Sequence, residues 1–282
     1  MRITNPDTWP QRPLIMGIVN VTPDSFSDGG NHSTWPRAVS HALDLVRQGA
    51  DVLDIGGEST RPGSQPVPAD LEIERTSRVI EALHGETDTP LSIDTSKPEV
   101  AEEALGRGAT VLNDVTGFAD GRMVELAVDH GAVACVMHMK GKPRTMQLDP
   151  HYDDVRDEVR TWLAGRAARL EGKGLPKRMI WVDPGIGFGK TTEHNLDLIA
   201  GLDSLASLGY PVLVGASRKR FIGDISGDPV HERLAGSLAA VHESMKLPKR
   251  IVRVHDVAQT RQFILVEQAV RIHRAARLRG RA

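Results

Sequence analysis

The sequence predicts a closed (β/α)8 barrel, and three observations support this fold class. Short apolar segments alternate with longer amphipathic segments about eight times, which is the count that a closed barrel needs. The apolar segments are rich in β-branched residues, which is typical of parallel strands covered by helices. Polar residues stand at the C-terminal end of nearly every apolar segment, where barrel strands converge. An open doubly wound sheet is the alternative, but no G-x-G-x-x-G turn follows the first strand.

The predicted strands and helices follow one another in a regular order. The strands are expected at 14–19, 52–55, 91–93, 111–112, 132–137, 179–182, 212–214 and 251–254. The helices are expected at 35–47, 69–83, 98–107, 122–129, 154–172, 194–208 and 231–246, with a last helix after residue 256. Because no linker interrupts this series, we predict one domain over residues 1–282, with the barrel core at about 14–275.

Composition and charge exclude several classes of function. The chain has 35 Lys and Arg against 37 Asp and Glu, a net charge of −2 and no basic tract, so a nucleic-acid partner is not expected. No apolar segment is long enough to span a membrane, and the N-terminus lacks the apolar core of a signal peptide. The single cysteine, Cys135, excludes an intrachain disulfide and fits a reducing cytoplasm, which is the predicted location.

The ends of the predicted strands indicate a binding site on one rim of the barrel. The sixth strand ends in Asp183, and the loop after it has glycines at 185, 187 and 189, more than packing alone requires. For this residue alone, a tight turn in which Asp183 only caps backbone amides is an equal alternative. The pattern recurs, however, at the other strand ends, which hold Asn20, Asp54, Asp94, Asn113 with Asp114, His138, the loop 215–220, and Arg253 with His255. Because buried polar groups need partners, packing alone does not explain so many of them.

These residue types fit two parts of one ligand. Carboxylates and an amide suit a flat heterocycle with N–H edges, and cations with hydroxyl or amide donors suit phosphate. The first group consists of Asp94, Asn113 and Asp183. The second group consists of Asn20, Arg253, His255 and the loop 217–219. The sequence therefore predicts a heterocycle that bears a phosphate or diphosphate, under two loops, at 21–30 and 56–64, that are long enough to close over it.

Eight motifs resemble those of a known family. They are GIVNVTPDSFSDGG, DIGGESTRPGS, SIDTSKPEV, LNDVTG, MHMKGKPRTMQ, DPGIGFGK, VGASRKRFIG and RVHDV. In their order and spacing, from Met16 to Val257, the chain resembles the bacterial dihydropteroate synthases. The resemblance implies a TIM-barrel transferase of folate biosynthesis that joins 6-hydroxymethyl-7,8-dihydropterin diphosphate to 4-aminobenzoate, giving 7,8-dihydropteroate and diphosphate. It further implies a Mg²⁺ ion, a homodimer and competition of sulfonamides with 4-aminobenzoate.

The resemblance also implies roles for individual residues. The pterin pocket would comprise Asp94, Asn113, Asp183 and Lys219, with Arg253 stacked on the ring. The diphosphate would meet Thr60, Arg253 and His255, and Asn20 would bind Mg²⁺. The 4-aminobenzoate slot would be walled by Phe26, Pro62, Phe188 and Lys219, with its carboxylate near Arg220. Ser217 and Val254 complete the predicted substrate contacts. The catalytic set is Asp28, Arg61, Lys219, Arg253 and His255, of which Asp28 would stabilise a pterin methylene cation and Arg61 would hold the second loop over the diphosphate.

Several other interpretations compete with this one. A barrel that moves a methyl group from a reduced folate to a corrinoid protein would share the pterin pocket, but it needs no diphosphate contacts such as those at 217–219 and 253–255. A non-catalytic paralogue would bind pterin only, although the loop residues Asp28 and 60–62 argue against it. The segment 185–191 ends in GKT like a nucleotide-binding P-loop, but Pro184 stands where the first glycine is needed. His138 is interpreted as a structural or pocket-edge histidine rather than a metal ligand.

Overall fold

A closed barrel of eight parallel strands forms the centre of the computed structural model, which describes residues 3–22, 35–59, 63–142 and 145–279. The strands are β1 (Leu14–Asn20), β2 (Val52–Gly56), β3 (Leu91–Asp94), β4 (Val111–Asp114), β5 (Val133–Met137), β6 (Ile180–Asp183), β7 (Val212–Val214) and β8 (Arg250–Val254). Each strand pairs in parallel with the next, and β8 pairs with β1 to close the barrel. The predicted fold class is confirmed.

The strands are buried on both faces, as expected for a parallel barrel inside a ring of helices. Every residue of β2, β4, β5, β6 and β7 is buried. The strand register also sets which polar residues become neighbours. Asp54 of β2 lies beside Ser92 of β3, and Asp94 of β3 lies beside Asn113 of β4. The register therefore places Asp94 and Asn113 side by side, with Asp54 on the neighbouring strand level with Ser92.

The helices surround the strands and agree closely with the predicted segments. They are α1 (Trp35–Gln48), α2 (Ala69–Glu86), α3 (Pro98–Gly106), α4 (Gly121–Asp129), α5 (Val155–Gly172), α6 (Thr192–Ala200), α7 (Leu202–Ala206), α8 (Arg220–Ser226), α9 (Leu234–Ser244) and α10 (Val257–Arg279). Asp154 caps α5 by accepting hydrogen bonds from the amides of Arg156 and Asp157 at 3.0 and 3.1 Å. None of the helices in these described ranges is both long and apolar enough to cross a membrane.

Two predicted helices are interrupted in the structure. The segment 194–208 breaks at Gly201, between α6 and α7. A Cβ atom at Gly201 would lie 2.2 Å from Nε of Arg156, so the α5 side chain occupies the space that a continuous helix with larger residues would need. The segment 231–246 begins with a 3-10 turn (Val230–Glu232) before α9.

The chain before β1 covers the N-terminal end of the barrel. Trp9 packs edge-to-face on Trp181 with ring centroids 5.7 Å apart. At the start of β8, Arg250 Nη2 donates to the carbonyl oxygen of Gln11 at 2.8 Å. Because this end is closed by an apolar and hydrogen-bonded segment, the opposite rim is the open one, and it is there that β-α loops form sites in such barrels.

Candidate active site

Arg253 is bound by two carboxylates inside the C-terminal rim. Its Nε atom donates to Oδ2 of Asp54 at 2.6 Å, and its Nη2 atom donates to Oδ2 of Asp94 at 2.8 Å. The guanidinium leaves β8 and is bonded to β2 and β3, so it spans the interior of the barrel. A guanidinium fixed along its edge in this way presents a planar face for stacking on a ring.

Asn113 and Asp183 extend this cluster around the rim. The Asn113 side-chain amide donates to Oδ2 of Asp54 at 3.1 Å. Asp183 lies at the end of β6, where its Oδ1 accepts a hydrogen bond from the amide of Gly185 at 2.7 Å. A Cβ atom at Gly215 would lie 3.9 Å from both Asp183 Oδ2 and Arg253 Cβ, so these two residues flank the same point. The predicted acceptor residues therefore lie together, and Asp183 Oδ2 has no hydrogen bond to any residue in the described ranges while Oδ1 caps the loop.

Lys219 and Phe188 form a second side of the site. The Lys219 ammonium lies 4.0 Å from the centroid of the Phe188 ring, within the range of a cation–π contact. Phe188 also belongs to a small apolar cluster, which we call the apolar wall and which consists of Val115, Met137, Met146 and Phe188. The site thus has an acidic and amide side, a cationic position and an apolar wall, which suits a flat heterocycle joined to a second aromatic group.

Burial strongly changes the protonation of the two rim carboxylates. Desolvation raises the pKa of Asp94 to about 7; Arg253 opposes this change and the Asp54 carboxylate adds to it. A single guanidinium faces two acids here, so it only partly offsets the effect of burial on Asp94. Desolvation likewise raises the pKa of Asp183 to about 6, although the Gly185 amide, Lys219 and Arg253 each lower it. Burial lowers the pKa of Arg253, but Asp54 and Asp94 raise it by more, so Arg253 stays charged.

The loop after β6 needs glycine for steric reasons. Gly185 has φ of +66°, and a Cβ atom there would lie 1.9 Å from the carbonyl oxygen of His138. Gly189 has φ of +62°, and its Cβ would lie 2.2 Å from the carbonyl oxygen of Lys140. The loops after β5 and β6 therefore pack backbone against backbone, which only glycine permits.

Replacing Gly185 with alanine is expected to destabilise the protein by about 2–4 kcal/mol, because a left-handed backbone and a steric overlap act together. Gly131 is the matched control, since its φ is +57° and an added Cβ would meet nothing within 4 Å. Gly131→Ala should cost only about 1–2 kcal/mol, the effect of the backbone conformation alone. Urea unfolding of both variants measures the difference. Equal losses would contradict the proposed overlap with the His138 carbonyl.

The loop after β7 lies beside the end of β8. Ser217 Oγ is 3.1 Å from His255 Nδ1 and accepts from the His255 amide at 3.3 Å. Arg218 has φ of +57° and forms a bidentate pair with Asp256, so its guanidinium holds the loop to the start of α10. Val254 is buried in the main core, and its side chain contributes to packing. Arg220 starts α8 and is exposed, with its Nε atom 3.4 Å from Asp224 Oδ1.

Asn20 fits a magnesium ion that arrives together with a phosphate group. It ends β1, is half-buried and is paired in register with Gly56 of β2. Its amide oxygen is a hard ligand of the kind Mg²⁺ accepts, and Mg²⁺ commonly keeps water and substrate phosphate as its other ligands. Within the described ranges, no group of three or more His, Cys, Asp or Glu could hold a metal ion by itself. An ion at Asn20 would therefore depend on oxygen atoms from the ligand.

Five predicted site residues lie outside the described part of the chain. They are Phe26, Asp28, Thr60, Arg61 and Pro62. Their implied roles stay predictions. The segments that flank them, ending at Thr22 and Ser59 and restarting at Trp35 and Gly63, belong to the loops after β1 and β2 on the same rim as Asp54.

Asp54 is among the polar residues that the sequence places on this rim, but none of the predicted substrate or catalytic roles was given to it. It is fully buried, and Oδ2 binds both Arg253 and Asn113, whereas Oδ1 has no hydrogen-bond partner among the described residues. One signal was present in the sequence: an aspartate in the middle of an otherwise apolar strand, VLDIG, has to face a polar partner. Asp54 orients two predicted pterin-pocket residues at once.

Comparison with known proteins identifies the family. Residues 16–255 match the family described as "Pterin binding enzyme". Dihydropteroate synthase of Escherichia coli strain K12 is 43% identical over 257 residues, which are 91% of each chain. The chain belongs to the dihydropteroate synthase family.

Solved structures of dihydropteroate synthases agree with this assignment. The enzyme of Xanthomonas albilineans with 4-aminobenzoic acid has a TM-score of 0.87 and 48% identity, and the match covers 92% of this chain and 93% of that one. The same organism's enzyme in complex with 7,8-dihydropteroate has a TM-score of 0.84 and 44% identity, over 93% and 95% of the two chains. The resemblance seen in the motifs is therefore confirmed over nearly the full length, and the chain is an enzyme of the dihydropteroate synthase type.

Proposed function

We propose that this chain joins 6-hydroxymethyl-7,8-dihydropterin diphosphate to 4-aminobenzoate in folate biosynthesis, releasing diphosphate, with the rim residues described above as its active site. The convergence of Asp94, Asn113, Asp183 and Arg253 is the observation on which this proposal depends. The relatives with bound 4-aminobenzoic acid and 7,8-dihydropteroate support the same pair of chemical groups for this chain.

Pterin recognition follows from the hydrogen-bonding capacity of the rim. The edge of an aminopterin presents adjacent N–H donors, and the second oxygen of Asp183 is an acceptor beside Arg253. Arg253 is charged and held by Asp54 and Asp94, so it supplies a fixed planar cation against the ring face. A ring without those donors would leave buried acceptors unpaired, which costs about 10⁴-fold or more in discrimination.

The difficult step is the departure of diphosphate from the pterin methylene carbon. We assign Arg253 and His255 to stabilising the negative charge that develops on the leaving oxygen, and Ser217 to orienting the His255 ring through Nδ1. Asn20 would hold Mg²⁺, which when bound neutralises diphosphate charge. The carbon–oxygen bond breaks, and the neutral aromatic amine then forms the new carbon–nitrogen bond and loses a proton. An aniline-type nitrogen needs no strong base, so none is assigned.

The second substrate would lie against the apolar wall and Lys219. The Lys219 aliphatic chain passes Gly187, whose added Cβ would be 3.1 Å from Lys219 Cδ, so the lysine lies closely over the β6 loop. Phe188 presents its ring on the same side. A benzoate ring can pack beside this pair, against the Phe188 ring, with its carboxylate toward the amides at the start of α8, near Arg220. Sulfonamides, which have a similar shape, would compete for this position.

The decisive test mixes the purified protein with the pterin diphosphate, 4-aminobenzoate and Mg²⁺ and measures released diphosphate and 7,8-dihydropteroate. Diphosphate release that depends on the amine, with equal amounts of both products, is the expected result. Omission of Mg²⁺ with a chelator present should greatly lower the rate. Tight pterin binding without product formation would instead indicate a non-catalytic paralogue.

The rate should fall on the acid side of neutrality. The acceptor forms of Asp94 and Asp183 are the ionised ones, and their pKa values are raised to about 7 and about 6. These forms are therefore lost as pH is lowered through those values, whereas an exposed aspartate would remain ionised. We expect kcat/KM for the pterin diphosphate to decline between pH 7.5 and pH 5.5, about tenfold for each unit below the pKa of the group that must be ionised. A pH-independent kcat/KM over this range, measured by initial rates, would contradict the assignment.

We also propose that the protein is a homodimer in the cytoplasm. Helix α10 exposes the apolar residues Leu265, Val266, Val270 and Ile272, and a second copy would cover them. The buried thiol of Cys135, the single cysteine, suits a reducing compartment. Light scattering of the purified protein, compared with Val266→Glu, tests the dimer: the variant should have the mass of one chain.

A further inference from the structure

The ammonium of Lys190 is buried beneath the loop after β6. Its residue is only 3% exposed. The Nζ atom is 2.9 Å from the carbonyl oxygen of Phe188, 3.0 Å from that of Gly185 and 3.0 Å from Nδ1 of His138. The His138 carbonyl oxygen is a fourth, longer contact at 3.4 Å, and the three shorter contacts match the three N–H donors of an ammonium group. A lysine is almost never fully buried unless its charge is satisfied in this way. Burial lowers the pKa of Lys190 to about 7, although the Asp183 carboxylate opposes this change, so the ammonium is the main form on the acid side of neutrality.

His138 is suited to be the third acceptor of the Lys190 ammonium. Burial, followed by the charge of Lys190, lowers its pKa to about 3, so the imidazole is neutral. A neutral ring whose Nδ1 atom carries no proton accepts a hydrogen bond there. The ring is also packed edge-to-face against Trp162, with centroids 5.0 Å apart. The acceptor is thus fixed in position before Lys190 binds to it.

The loop that Lys190 holds also contains residues assigned to both substrates. Gly185, whose carbonyl accepts from Lys190, donates its own amide to Asp183 Oδ1 at 2.7 Å. Phe188, whose carbonyl also accepts from Lys190, contacts Lys219 with its ring. One ammonium therefore fixes the backbone on either side of Gly187, between the pterin acceptor and the apolar wall.

Neutral side chains bind the remaining backbone groups of this loop. Gln147 Nε2 donates to the Gly187 carbonyl at 2.6 Å, and Asn195 Oδ1 accepts from the Gly187 amide at 2.7 Å. Tyr152 donates to the Gly189 carbonyl at 2.8 Å. Among these contacts only Lys190 is bonded to two loop carbonyls and to the neighbouring β5 loop, so it ties the two loops together.

We propose that Lys190, with His138 as its acceptor, is a positioning residue for catalysis: it sets the conformation of residues 185–188 and thereby aims Asp183 at the pterin and Phe188 at the aminobenzoate. The proposal deepens the function proposed above and rests on it. Neither residue touches substrate. Their effect passes through two backbone carbonyls, and a displacement of about 1 Å at such a loop can cost about 10²-fold in rate.

The test compares Lys190→Met with Lys177→Met. Lys177 precedes the same strand at the other end of the barrel, where its Nζ atom donates to the Leu208 carbonyl at 2.8 Å. We expect Lys190→Met to raise KM for both the pterin diphosphate and 4-aminobenzoate by about tenfold and to lower kcat/KM by about 10²-fold. Lys177→Met should leave both KM values unchanged. Circular dichroism and urea unfolding show whether each variant is folded.

A pH profile separates positioning from a general loss of stability. Asp183 faces the Gly185 amide, Lys219, Arg253 and Lys190, and Lys190 faces Asp183, Lys219 and Lys140. Removing the Lys190 charge should therefore raise the pKa of Asp183 and shift the part of the acid limb that Asp183 contributes to higher pH, whereas the part contributed by Asp94, whose pKa Lys190 does not affect, should stay in place. A variant that is merely less stable would keep the wild-type midpoint.

His138→Phe is the second variant, for the case in which Lys190→Met does not fold. It keeps an aromatic ring against Trp162 but removes the Nδ1 acceptor. We expect it to raise both KM values by severalfold. Wild-type KM values in either folded variant, or an unshifted Asp183 contribution to the pH profile in folded Lys190→Met, would overturn the inference. If the wild-type protein itself formed no product, the proposed function would fail, which is a different outcome.

Discussion

Replacing Arg253 with methionine is expected to lower kcat/KM by about 10²–10³-fold, the usual effect of removing one group that stabilises transition-state charge. Methionine keeps part of the aliphatic volume but leaves Asp54 and Asp94 without their cation. Breaking a buried ion pair by removing one partner costs about 3–5 kcal/mol of stability. Because the pKa of Asp94 is raised to about 7 and its ionised form needs the cation, this loss should grow as pH rises from 5.5 to 8.

Arg12→Met is the matched control for this experiment. Arg12 forms a bidentate pair with Asp51 at 2.6 and 2.9 Å, and its side chain is 18% exposed against 20% for Arg253. It lies at the N-terminal end of β1, away from the site. Urea unfolding at pH 5.5 and pH 8 should show that Arg12→Met is less stable than the wild-type protein. Initial rates at the same pH values should show no loss of kcat/KM. Near-native turnover in Arg253→Met would contradict the assignment of Arg253 to the active site.

Replacing Asp183 with asparagine is expected to lower kcat/KM for the pterin diphosphate by about 10³-fold or more, because a donor then faces the ring's own N–H groups in a buried site. The Asn oxygen can still accept from the Gly185 amide, so the loop should keep its conformation. The change therefore isolates ligand recognition from loop structure. Asparagine does not titrate, so the acid limb contributed by Asp183 should also disappear.

Two measurements test the predicted effect of Asp183→Asn. Pterin binding by calorimetry should be strongly weakened in Asp183→Asn, while KM for 4-aminobenzoate changes much less. Asp51→Asn is the control, since Asp51 accepts from the Ile15 amide at 2.8 Å at the opposite end of the barrel and should not affect either substrate. If Asp183→Asn bound pterin normally, the role of Asp183 would be restricted to capping the loop, the alternative weighed from the sequence.

Much of the site could be predicted from the sequence because a parallel barrel places all strand ends on one rim. Asp94, Asn113, Asp183 and Arg253 each stand at the end of an apolar segment, and the structure brings them together. The alternation of strands and helices predicts the fold by the same logic. For these residues, the local sequence pattern determines where the side chain lies in the folded barrel.

What could not be predicted depends on contacts between distant segments. The break at Gly201 follows from the Arg156 side chain on another helix, and no local signal distinguishes this glycine from others. Lys190 looked like the end of a false nucleotide motif, and its acceptors become apparent only when the loops after β5 and β6 are packed together. Asp54 gave a signal, but its two partners come from strands far along the chain.

The Arg253 guanidinium, which crosses the barrel interior, limits the substitutions that this protein can accept. Arg253 links three strands, and the proposed function also assigns it to the ligand, so a substitution there is expected to weaken both the scaffold and the chemistry. New ligand preferences therefore have to arise elsewhere. The uncharged side chains Val115, Met137 and Met146 can be exchanged for others of similar volume at small cost, which makes the apolar wall the tolerant surface on which resistance to a competing inhibitor can evolve.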